Sequence, residues 1–155
     1  MSELRASEID WQHPNIRTCI AAGLLSVEAR IEDVRPFARH RLTYLASVSP
    51  DLRDQWECIA IASRWQRRFA EYGLRTLSPV LIGVETRHFG WRGEPCPDPM
   101  QSDLWSEWCA PFRLAAGPVV IPPIRDRAKD PHIWREVIET LGAQRRVFLM
   151  SEDDL

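Results

Sequence analysis

The apolar and polar positions divide the chain into short elements. Ile16, Ile20, Leu24, Val27 and Ile31 recur at helical spacing and predict an amphipathic helix over 16–31. Pro36 ends or kinks that region. Residues 42–47 then form a short apolar run followed by Ser49-Pro50-Asp51, the pattern of a buried strand, a turn and a helix N-cap. Leu52, Trp56, Ile59, Trp65, Phe69 and Tyr72 give the next helix an apolar face, and Gly73 closes it. Residues 76–82 read as a second strand interrupted by Pro79. Residues 83–100, rich in glycine and proline, read as a long loop. A helix over 103–116 carries Pro111, and Val119-Val120-Ile121 is a third strand stopped by Pro122-Pro123. Asp130-Pro131 is a helix start, an N-cap followed by proline at N1. Ile133, Val137, Ile138 and Leu141 form the apolar side of that helix, and Gly142 ends it. Residues 146–150 are a fourth strand.

Strands that alternate with helices predict right-handed βαβ units. The expected fold class is α/β: a Rossmann-like or flavodoxin-like three-layer fold with a four- to five-stranded parallel sheet. Residues 1–40 are expected as an N-terminal helical extension and residues 41–155 as the domain proper. Such sheets bind ligands at the carboxyl ends of their strands. Those ends are residues 47–51, 79–83 and 122–130, which brings Ser47 and Pro79 forward as ligand-facing positions.

Composition narrows the function. The 155 residues amount to one ordinary domain. The net charge of −2 lacks the basic excess of a protein built on a phosphate backbone, so nucleic acid is not an expected partner. No apolar run reaches the ~18 residues of a membrane span, and MSELRASEIDW has no signal-peptide core. A cytoplasmic protein without a membrane partner is expected. Cys19, Cys58, Cys96 and Cys109 form no C-x-x-C pair, and the histidines are scattered, so neither metal nor cofactor is expected from spacing.

No G-x-G-x-x-G, G-x-x-x-x-G-K-[ST] or G-x-S-x-G motif is present. What remains is the carboxylate pair Asp130 and Glu136, with Tyr44 on the first strand. At 100° per residue, Glu136 falls at the border of its helix's apolar face, and Glu139 points away from that face. A border carboxylate facing a cleft can attack a sugar carbon or simply be solvated. Asp130 can be a cap, a site residue or both. Tyr44 is either a core aromatic or a site residue. Trp91, Trp105, Trp108 and Trp134 gather around the long loop and the last helices, where they either stack on a base or pack a core or subunit interface.

These residues carry a resemblance. Tyr44-Leu45-Ala46-Ser47, Leu77-Ser78-Pro79-Val80, Trp105-Ser106-Glu107-Trp108-Cys109, Val119-Val120-Ile121-Pro122 and the stretch from Asp130 to Val137 occur in order on the expected elements. Together, over about residues 42–150, they resemble the nucleoside 2-deoxyribosyltransferase-like superfamily, most of all a small branch of uncharacterised bacterial and phage proteins. The resemblance implies that Glu136 is the nucleophile at an anomeric carbon, that Asp130 orients it or meets the sugar hydroxyl, and that Tyr44 tunes it. It implies a nucleoside or nucleotide substrate, no cofactor, and a homodimer or higher homo-oligomer. His132 stands where that family usually has glycine, and there it would meet the sugar pocket. No carboxylate stands at the matching place near Trp108–Cys109 to assist the leaving base, although Glu107 and Asp103 are close. Two functions therefore follow: N-glycosidic cleavage or base exchange, and a binding module for a nucleotide-like ligand without chemistry. A third reading is an interaction protein that uses the tryptophans and the N-terminal helix.

Overall fold

The computed structural model describes Arg5 and residues 8–48, 54–89 and 100–154. Among the described residues, six α-helices and five strands follow one another as α1 (Pro14–Ala21), β1 (Leu25–Ala29), α2 (Ile31–Ala38), β2 (Thr43–Leu45), α3 (Gln55–Glu71), β3 (Thr76–Leu77), α4 (Pro79–Phe89), α5 (Ser102–Ala115), β4 (Val119–Ile121), α6 (Pro131–Gly142) and β5 (Val147–Met150). The strands form one all-parallel sheet in the order β1-β5-β4-β2-β3. This is the three-layer α/β architecture expected, at the upper end of the expected strand number.

The central strands explain themselves. β4 is Val-Val-Ile, β5 is Val-Phe-Leu-Met, and all but Leu149 are buried. Parallel strands covered on both faces read as continuous apolar runs. Chain order reverses between β2 and β4, whose registers pair Tyr44 with Val119 and Leu45 with Val120. Right-handed crossovers on either side of that reversal put α2 and α3 on one face and α5 and α6 on the other. Phe37 of α2 lies 5.9 Å from Phe148 of β5, and Tyr44 reaches α6 from the opposite face.

Three expected elements need correction. The helix expected over 16–31 is two elements. α1 stops at Ala21, Gly23 takes φ +72°, and Leu24 N donates to Cys19 O at 2.9 Å, which closes the helix in a Schellman turn. The chain then becomes β1, which pairs with β5. Leu25, off the helical stripe, is buried, whereas Val27, on it, is half exposed. Edge pairing with β5 and burial of Leu25 outweigh the helical periodicity, and burying such a side chain is worth roughly 1.5–3 kcal/mol. Residues 1–40 are thus not a purely helical extension, because they supply the fifth strand of the sheet.

The strand expected over 76–82 is only Thr76–Leu77. Pro79 begins α4, since a proline that cannot join a ladder is well placed at N1 of a helix. Residues 83–89 of the expected loop are therefore helical, and residues 90–99 lie outside the described residues. So do Trp91, Cys96 and the expected turn 49–51. α3 starts at Gln55, where the Asp54 side chain accepts from Trp56 N at 2.7 Å. Gly142 is the last residue of α6. The left-handed residue that closes α6 is Gln144, at φ +54°.

Candidate functional site

The site is built where β2, α5 and α6 meet, beside the reversal in strand order. Asp130 starts α6 as expected: its Oδ1 accepts from His132 N at 2.9 Å, and Pro131 follows at N1. His132 and Glu136 are four residues apart and share the inward face of the helix. Tyr44 of β2 is fully buried, and its hydroxyl donates to Glu136 Oε1. His132 Nε2 lies 3.4 Å from the same oxygen, an ion-pair distance without hydrogen-bond alignment. On α5, Ser106 Oγ lies 2.9 Å from His132 Nδ1. The Trp105 ring packs 5.9 Å from the imidazole. A Cys109 sulfur, a His132 nitrogen and a Glu136 oxygen all fall within 4.8 Å of one another.

The carboxylate is deeply placed, with Glu136 2% exposed and His132 7%. Oε1 is engaged, whereas Oε2 has no hydrogen-bond partner among the described residues. Burial raises the Tyr44 pKa, and the negative charge of Glu136 adds to it. Burial also raises the Cys109 pKa, with Glu136 again second. Burial works against a charged His132, but the carboxylates of Glu136 and Asp130 outweigh it and hold the imidazole pKa above its ordinary value. The ensemble sets a carboxylate and an imidazole between a phenol and a thiol whose ionisation burial disfavours. Such a group can act as an anionic nucleophile held by one oxygen, or as a set of ligands for a cation.

The other expected residues sort themselves around this centre. Asp130 is fully buried as a cap and stays close enough to influence His132. Ser47 is buried just past β2, with Oγ donating to Val48 O at 3.3 Å. Pro79 is buried at the start of α4, and its carbonyl accepts from Trp108 Nε1 at 3.3 Å. Trp105 and Trp134 are core residues. Trp134 Nε1 donates to Arg5 O at 3.0 Å, and Trp11 meets its ring edge-on at 5.0 Å, so this tryptophan fastens the N-terminal segment to α6. Ser106 and Cys109 were not singled out from sequence. Their only local signal is that Trp105, Ser106 and Cys109 share one face of α5, at spacings of three and four. Linear spacing likewise offered no metal set, yet docking α5 against α6 assembles one from Cys109, His132 and Glu136.

Searches of curated proteins and of solved structures gave no significant match. A family model described as a domain of unknown function, DUF1937, matches residues 42–152. The matched region runs from the residue before β2 through β5 and contains Tyr44, Ser106, Cys109, His132 and Glu136, so the chain belongs to the DUF1937 family.

Proposed function

We propose that the protein cleaves or exchanges the N-glycosidic bond of a 2′-deoxynucleoside or nucleotide, with Glu136 as nucleophile. One observation carries this reading: Glu136 Oε1 is held by Tyr44 and faced by His132, while Oε2, buried beside the strand-order reversal, is left without a partner among the described residues. A carboxylate fixed through one oxygen presents the other as a pre-aimed nucleophile. Oε2 attacks the anomeric carbon, a C–O ester bond forms, and the C–N bond breaks with its electron pair leaving on the base. Water or a second base then attacks the same carbon, its proton passes to the released base, and the carboxylate is returned. The sequence resemblance to deoxyribosyltransferases supports the same assignment of Glu136 and Tyr44. Asp130 contributes by fixing the start of α6 and the orientation of His132. The reading includes a homo-oligomer, to be checked by light scattering.

A second reading rests on His132. Its ring fills space beside the carboxylate where the resembled family has only glycine, which suits a module that binds a nucleotide-like ligand without turnover.

The test is base release from the four deoxynucleosides and their monophosphates, with and without a free acceptor base, followed by chromatography beside Glu136→Ala. Release that needs Glu136 supports the enzyme, and acceptor dependence tells transfer from hydrolysis. Silence across the panel, together with ligand-induced thermal stabilisation, would move the assignment to the binding module.

A further inference from the structure

Cys109, His132 and Glu136 bring one sulfur, one imidazole nitrogen and one carboxylate oxygen within 4.8 Å of one another. All three residues are more than nine-tenths buried. Buried polar atoms are ordinarily paired. Here Glu136 Oε2 has no hydrogen-bond partner among the described residues, and His132 Nε2 has none beyond its ion-pair approach to Glu136 Oε1. The imidazole is already oriented as metal-binding histidines are, with its other nitrogen engaged: Ser106 Oγ sits 2.9 Å from Nδ1. Nε2 and Glu136 Oε1 are 3.4 Å apart. Two ligands on a tetrahedral ion with bonds of about 2.0–2.1 Å would be separated by about 3.3 Å.

We propose that Cys109, His132 and Glu136 form a zinc site, with the fourth tetrahedral position left to a small exogenous ligand. The donor set selects the ion. Sulfur and imidazole suit zinc, whereas magnesium and calcium require oxygen ligands. The charges close as well: a thiolate and a carboxylate neutralise the dication, and the imidazole binds in its neutral form. On binding, zinc–sulfur and zinc–nitrogen bonds form as the thiol proton, and the Nε2 proton where the imidazole carries one, pass to water, and no electrons are transferred. The Tyr44 hydroxyl donates to Oε1 of the same Glu136 carboxylate. This inference goes beyond the glycosidic reading. An ion on Glu136 occupies the carboxylate that would attack the sugar, so zinc and substrate exclude each other, and base release falls as zinc is added.

The site is tested on the full chain with cobalt(II) as a spectroscopic stand-in and zinc as competitor, in the absence of any nucleoside. The expected result is a sulfur-to-cobalt charge-transfer band with tetrahedral ligand-field bands, all displaced by zinc. Cys109→Ser abolishes the charge-transfer band, whereas Cys19→Ser, Cys58→Ser and Cys96→Ser retain it. His132→Gln weakens zinc by more than the roughly 10–100-fold that loss of an outer-shell partner costs. Circular dichroism of each variant separates loss of the site from loss of the fold. A wild-type protein without the charge-transfer band, or a band that survives in folded Cys109→Ser, overturns the proposal. The band is read without turnover, so a protein that binds cobalt but releases no base removes only the glycosidic reading, and the reverse removes only the zinc site.

Discussion

Glu136 and Glu139 stand three residues apart on α6 and meet opposite surroundings. The Glu139 carboxylate is 39% exposed, is bonded by the buried Arg113 guanidinium, and takes a second bond from Arg135 at 2.8 Å. Burial nudges its pKa up, but the two arginines outweigh that and hold it below the ordinary carboxylate value. Glu136 is almost fully enclosed and faces a phenol, an imidazole and a thiol instead. Arginine forks satisfy a carboxylate completely and leave it inert. A single phenol on one oxygen leaves the other free to react or to ligate. The comparison separates a carboxylate that ties two helices together from one that is enclosed with an oxygen left without a partner among the described residues.

The largest expected effect breaks this comparison in both directions. Glu136→Gln reduces base release by a factor on the order of 10⁴ or more, as removal of a nucleophile does. Its stability changes little above the folded imidazole pKa and falls below it, where charged His132 loses its partner. Glu139→Gln does the reverse: turnover stays within about twofold, and the nearly buried Arg113 loses its charged partner at a cost of about 1–3 kcal/mol. Denaturant melts and initial rates on the two variants check the pair, and equal losses of turnover would collapse the distinction.

Next in size is Tyr44→Phe. A hydrogen bond to a charged group is worth about 1.5–3 kcal/mol, and each 1.4 kcal/mol is about a factor of ten in rate. Base release should therefore fall about 10–100-fold while the fold survives. A rate as low as that of Glu136→Gln would mean that Tyr44 does more than hold Oε1.

His132, beside Glu136, and Glu139 predict opposite pH signatures. His132 has a raised folded pKa, so its contribution is complete below the ordinary imidazole value of about 6.5 and is lost as pH rises through the folded value. Glu139 has a lowered pKa, so its contribution is present above the ordinary carboxylate value of about 4.3 and is lost as pH falls through the folded value. Thermal unfolding across pH should lose its alkaline slope in His132→Gln and part of its acid slope in Glu139→Gln. An unchanged alkaline limb in His132→Gln would contradict the ion pair with Glu136.

The smallest effect lies at the far end of the same helix. Gly142 is helical, and a Cβ added there meets nothing within 4 Å. Gly142→Ala should stabilise the protein by about 0.5–1 kcal/mol without altering turnover or zinc binding. A destabilised variant would show that this end of α6 is under a constraint the packing does not reveal.

Much of the site was legible along the chain because its main parts are local. Asp130-Pro131 fixes where α6 begins, and that start sets His132 and Glu136 on one face of the helix. The continuous apolar runs of β4 and β5 are the direct consequence of burial on both faces, so the parallel sheet could be read from them. The N-terminal segment was misread because helical and strand burial compete there. Its apolar spacing fits a helix, and only the open edge of β5, with its unpaired backbone groups, makes β1 the better outcome. Pro79 was ambiguous for a similar reason, since one residue can stop a strand or start a helix.

What the amino-acid sequence by itself determined is the alternation of elements, the cap of α6 and the placing of His132 and Glu136 four residues apart on that helix. What only the tertiary structure decided is what that carboxylate meets. Tyr44, Ser106, Cys109 and Glu136 come from three separate elements, and the distances between them depend on strand order and on how α5 docks beside α6. Those are long-range packing choices, driven by burial of surfaces that no local pattern records. The same choice exposes one face of α6 to the arginines around Glu139 and encloses the other around Glu136.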